Sequence, residues 1–141
     1  MMRKLDQRGV AAFEFCLVAA PLFILMFAIF DLGRYAITVQ SLRNLANAGA
    51  RATMIDCYTP AVIKNNSPSG CTDVNAYLLN TNRLKQDVSP FLYAGGLTPT
   101  LTTASGASAL TVTASEPGFT MIMPIWGTTL NNPSASTQIP F

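Results

Sequence analysis

Histidine is absent from the chain, and charge is scarce. Without an imidazole the commonest general base and metal ligand is missing, and neither abundant Ser nor abundant Thr has an obvious activator. Only 11% of the residues are charged, where soluble domains carry roughly 25%. Net charge is +2, too small to argue for nucleic acid. The three cysteines, Cys16, Cys57 and Cys71, form no zinc pattern. No phosphate loop or metal cluster is visible, so the chain reads as neither an enzyme nor a cofactor carrier. Half of the residues are hydrophobic, which points to a membrane or to an assembly that buries surface. The charges are also unevenly spread: from Ser89 to Phe141 the sole charged side chain is Glu116.

What is present is a long apolar run. Val10 to Phe30 holds 21 residues, and its only charge is Glu14. At ~1.5 Å per residue a helix of that length spans about 30 Å, one hydrocarbon core. Arg3, Lys4 and Arg8 precede it, opposed only by Asp6. The positive-inside rule then keeps the N-terminus cytoplasmic and puts the remainder outside. A cleaved secretory signal is the competing reading, with Val18-Ala19-Ala20 as a loose cleavage site. It would place Glu14 in the apolar core of the signal and leave the strongest apolar stretch, Leu22–Phe30, beyond the cut.

Pro21 interrupts the helix without ending it, as membrane helices allow. Beyond Asp31 the apolar positions Leu32, Tyr35/Ala36, Val39, Leu42, Ala46, Gly49 and Thr53 recur every three or four residues. Arg34, Gln40, Arg43, Asn44, Asn47 and Arg51 fall on the other face. This predicts an amphipathic continuation over 31–55. The small residues Ala46, Gly49 and Ala50 suit close packing on another helix or a sheet.

Residues 56–72, with two prolines and an Asn/Ser cluster, read as a loop bracketed by Cys57 and Cys71. In an oxidising compartment these two form a disulfide, worth about 3 kcal/mol for a loop of roughly 15 residues; the alternative is two unpaired buried thiols. Asp73 is a candidate N-cap for a helix over 74–88, ended by Pro90. Strands are predicted at Leu97–Thr103, Ala109–Ser115 and Phe119–Ile125, with turns at "ASGAS" and at Glu116-Pro117-Gly118. The fold class is therefore α+β: a long N-terminal membrane-spanning and amphipathic helix with a small antiparallel sheet packed on its outer half. The expected organisation is a cytoplasmic leader at 1–9, a span at 10–30, the amphipathic helix at 31–55, an extracytoplasmic α/β domain at 56–126 and a flexible tail at 127–141.

Arg8-Gly9, Glu14-Phe15, Pro21, "DLGR" at 31–34 and "ANAGAR" at 46–51, in that order, resemble the TadE-like family of pilin-like proteins from bacterial tight-adherence (Tad, or Flp-type) pili. The resemblance covers 8–51 and nothing beyond. It implies cutting by a prepilin peptidase between Gly9 and Val10, which makes Glu14 the fifth residue of the mature chain. Glu14, with Phe15 and Pro21, then becomes an assembly residue, its carboxylate facing the new Val10 amine of a neighbouring subunit. The simpler reading is that Glu14, roughly 7 Å along the helix from Gly9, snorkels to headgroups or benefits from the helix N-terminus. Asp31 and Arg34, three apart, can pair for a few tenths of a kcal/mol. With Gly33 and Gly49 they are candidate interface positions. The implied partners are the peptidase, other pilin-like subunits and the inner-membrane assembly platform. Two readings of a different class remain: a permanently anchored periplasmic adaptor that never polymerises, and a tethered ligand-binding domain with Tyr93 and Trp126 as exposed aromatics.

Overall fold

The computed structural model describes residues 7–76 and 82–141, with side chains throughout except at 7–8 and 82–84. Arg3, Lys4, the Arg8 side chain, Tyr77 and Leu78 lie outside the described residues. One helix dominates. Helix α1 runs from Gln7 to Thr53 and passes through Pro21 without a break. A π-helical turn, Met54–Tyr58, follows, and then α2, Thr59–Ile63. The helix from Gly9 to Ile63 is thus 55 residues long, roughly 80 Å at 1.5 Å per residue.

The sequence reading ended this helix near 55 and made 56–72 a loop. The first part of that segment is helical instead. Pro60 has no N–H to offer the turn before it. The π turn widens the spacing there, with the Thr59 amide donating to the Met54 carbonyl, and the chain continues past the proline.

The sheet has three antiparallel strands in the order β1-β2-β3: Thr100–Ser105, Ala109–Ser115 and Ser134–Pro140. Alternation in "ALTVTAS" puts Leu110, Val112 and Ala114 on one fully buried face. The Gly106 amide donates to the Ala109 carbonyl and closes the β1–β2 hairpin. Register brings Leu101 opposite Ala114 and Leu110 opposite Ile139. Two expectations are corrected here. Phe119–Ile125 is not a strand, and the segment read as a flexible tail supplies β3. Residues 135, 137 and 139 alternate inward, but Ala135 and Thr137 are small and Pro133 and Pro140 flank them, so the hydropathy signal is weak. Once β3 occupies the free edge of β2, no edge is left there for 119–125.

The sheet lies on the outer half of α1, which is the α+β arrangement expected. Leu42, Leu45, Ala46, Ala50 and Ala52 of α1 meet Leu101, Leu110, Val112, Ala114 and Ile139 of the sheet, with Cys71, Val74 and Leu92 closing the side. The buried stripe is rotated from the predicted one. Leu45 belongs to it, whereas Leu32 is exposed. The buried hydroxyls of Thr38 and Thr53 donate to the carbonyls four residues back, those of Arg34 and Gly49. On the far side, the Thr137 hydroxyl bonds Asn47 at 2.6 Å and Tyr58 bonds the Pro140 carbonyl at 3.3 Å, tying β3 to α1 and the π turn.

Cys57 and Cys71 are joined in a disulfide that closes the excursion off the helix. Of the helix expected over 74–88, the described residues show a short 3-10 turn, Val74–Ala76, and helix α3, Asn82–Val88; 77–81 lie outside the described residues. Helix α4, Pro90–Ala94, follows.

Gly49 is the point of closest approach between α1 and the sheet. A Cβ built there would sit 3.1 Å from Val112 Cγ1 and 3.3 Å from both Leu101 Cδ2 and Val74 Cγ2. Gly49→Leu should therefore lower domain stability by about 1–3 kcal/mol. The check is urea unfolding in detergent followed by Trp126 fluorescence; an unchanged midpoint would contradict the packing.

Candidate functional site

The candidate positions on α1 fall into two groups, and the structure treats them differently. The first lies along the apolar span. Val10, Glu14 and Phe15 are exposed, as are nearly all side chains up to Phe30. Gly9 has open space around it. Glu14 makes no hydrogen bond or ion pair among the described residues. Among the described residues this half of the helix is exposed almost throughout, and only its last turn, at Phe27 and Phe30, shares a groove with Ile122 and Met123.

The second group sits where the apolar run stops. Asp31 is only 4% exposed. Its carboxylate accepts the backbone N–H of Ile122, at 3.0 Å to Oδ2 and 3.3 Å to Oδ1, and that of Met123 at 2.9 Å. Arg34, one turn on, lies 3.5 Å from Asp31 Oδ1. Its guanidinium also donates to the Thr120 carbonyl and stacks 4.8 Å above the Phe119 ring centre. Tyr35 also packs on Phe119, with ring centres 6.1 Å apart and the planes tilted. The loop after β2 is thereby clasped to the helix at the end of the apolar run.

The sequence reading gave Asp31 and Arg34 a weak exposed pair. The structure makes them the two ends of a tertiary clasp, and it puts Arg34 half-buried rather than on the solvent face. The loop residues that receive them, Phe119 to Met123, went unrecognised because backbone amides carry no sequence signature. Gly33, offered as an interface position beside them, is exposed with open space around it. Gly49 faces its own sheet. Tyr93 and Trp126 are half-buried, not exposed.

The loop is closed at its base. Asn132 donates its amide to the Phe119 carbonyl, and Met121 donates to the Asn131 side chain at 2.9 Å. At its start, Phe119 N–H bonds the Glu116 carbonyl, forming the Glu116-Pro117-Gly118 turn. The Glu116 side chain is buried and accepts the Gly118 amide at 3.0 Å. The nearby Tyr93 phenol is held above its ordinary value, first by burial and second by the Glu116 charge.

Among the described residues one helix is long and apolar enough to cross a membrane, and with a small domain packed on its other half the chain is consistent with a single-pass membrane anchor. The family model described as TadE-like protein matches residues 9–51, the helix from Gly9 to Arg51 and under a third of the chain. This is the family whose motifs the sequence carries, and the similarity implies a pilin-like protein related to Tad pili. No curated protein and no solved structure matches the chain.

Asp31→Ala should destabilise the domain by about 2–3 kcal/mol, because it strands two amides and a guanidinium contact. Asp31→Asn should cost less, since its carbonyl still accepts one amide without charge assistance. Unfolding midpoints of the two variants should therefore fall in the order wild type, Asn, Ala; equal midpoints for all three would contradict the clasp.

Proposed function

We propose that this protein is a minor pilin-like subunit of a tight-adherence pilus, cut by a prepilin peptidase between Gly9 and Val10 and assembled through its span. The reading rests on one observation above all. Glu14 stands exposed in a 21-residue apolar segment, five residues past Gly9, with no partner among the described residues. A carboxylate in the hydrocarbon costs roughly 2.5–3.5 kcal/mol on insertion scales. Cutting after Gly9 creates an α-amine on Val10, and the amine of a neighbouring subunit balances that charge and fixes the axial register. The match over 9–51 supports this. So does the division of labour along α1, where the outer half is consumed by its own domain and the inner half is left bare for Phe15, Pro21 and their neighbours to meet other subunits. In this reading the N-terminus faces the cytoplasm of a bacterial inner membrane, the domain lies outside it, and the assembly platform engages the span.

The test is Glu14→Gln in cells with a working peptidase. The variant should be made, inserted and cut, with mass spectrometry finding Val10 first. It should fail to enter pili, because a one-sided buried pair costs about 3–5 kcal/mol, roughly two to four decades in an assembly constant. Normal incorporation and surface attachment would overturn the pairing. A chain that keeps its leader would point to a permanently anchored adaptor.

A further inference from the structure

The loop clasped by Asp31 carries the most exposed apolar surface of the outer domain's lower end. Ile122 is 74% exposed and Ile125 58%. No charged residue occurs from Pro117 to Phe141. Ile122 and Met123 line a groove together with Phe27 and Phe30, with Asp31 and Arg34 at its upper end. Phe27 and Phe30 belong to the last turn of the span. The loop tip therefore reaches down to the depth of that turn, and its apolar surface is continuous with the surface that lipid covers.

Apolar side chains alone do not suit a loop to lipid, since its backbone must also be satisfied. Here it is. The amides of Ile122 and Met123 donate to Asp31, that of Met121 to Asn131, and that of Trp126 to the Met123 carbonyl. Pro124 has no N–H. The tip thus approaches hydrocarbon without stranding these donors. Trp126 at the tip's end is of the type that sits at headgroup level, and the half-exposed Arg34 lies just above Phe30, where a cation meets lipid phosphates.

We propose that residues 122–126 form a membrane foot: the tip enters the outer leaflet beside the span and holds the domain down on the bilayer rather than standing off it. The occupant of the exposed apolar surface is lipid. The proposal rests on the membrane-anchored reading of α1 and goes beyond it.

The lone tryptophan and the one cysteine outside the disulfide, Cys16, make the test direct. The full chain, labelled at Cys16 with a nitroxide-quenchable fluorophore, is placed at no more than one copy per lipid nanodisc. The lipids carry nitroxide either near the ester end or near the methyl end of the acyl chain. Trp126 emission should be quenched most by the ester-end lipid, less by the methyl-end lipid and least by aqueous iodide. In Ile122→Asp/Ile125→Asp, which changes only exposed side chains, lipid quenching should be lost and iodide quenching gained. Suppose the Cys16 label responds to lipid while wild-type Trp126 responds only to iodide. The span is then inserted, the foot is overturned and the proposed function survives. Trp126 shielded from both lipid and iodide would mean protein covers the tip, which also overturns the foot. A Cys16 label that no lipid reaches would overturn the anchor and the foot together.

Discussion

The carboxylate of Asp31, held against the backbone of Ile122 and Met123, couples the two halves of this molecule. It is the first residue past the apolar run. Burying it there would be costly if it were bare. Two amides and the Arg34 guanidinium offset that cost, and the same contacts fix where the β2–β3 connection crosses the helix. Because that connection leads to β3, the clasp also helps to set the edge of the sheet. Phe119, buried against both Arg34 and Tyr35, adds apolar contact to the clasp.

Above the clasp, α1 is spent on its own chain. The small residues that could admit a second helix, Ala46, Gly49 and Ala50, admit the sheet instead, to within a methyl group's reach of Val112. Below it, α1 is bare. The polypeptide thus separates two tasks along one rod. The outer turns build a core, and the inner turns present an exposed apolar surface with Glu14 on it, which the proposed function assigns to contacts outside the chain. Because α1 is continuous from Gln7 to Thr53, a register imposed at Glu14 in the proposed assembly would reach the domain along one helix.

Much of this was legible in the residues. The apolar run, its amphipathic continuation and the alternation of "ALTVTAS" gave the helix, the central strand and the α+β class, because burial on one face leaves a periodic trace. Elements held by the main chain left none. β3 is paired by backbone bonds to β2 and shows only Ile139 as a strongly apolar inward residue. Phe119–Ile125 has strand-like composition, yet its Ile122 and Met123 amides are captured by Asp31. Leu45 was missed because the predicted stripe was started from Leu32, which faces away from the sheet. Asp31 and Arg34 were picked out by their spacing, but their partners lie some ninety residues on, a distance over which charge pattern alone carries no information.

The central claim, that Asp31 ties the loop to the helix, is tested most directly by amide hydrogen exchange at Ile122 and Met123 in the full-length protein in a bilayer. These amides lie in a connecting loop, where exchange is ordinarily fast. Bonded to a buried carboxylate, they should exchange about two decades more slowly than unstructured amides, as an opening cost of about 2–3 kcal/mol requires. Exchange at the unstructured rate at both positions would contradict the account.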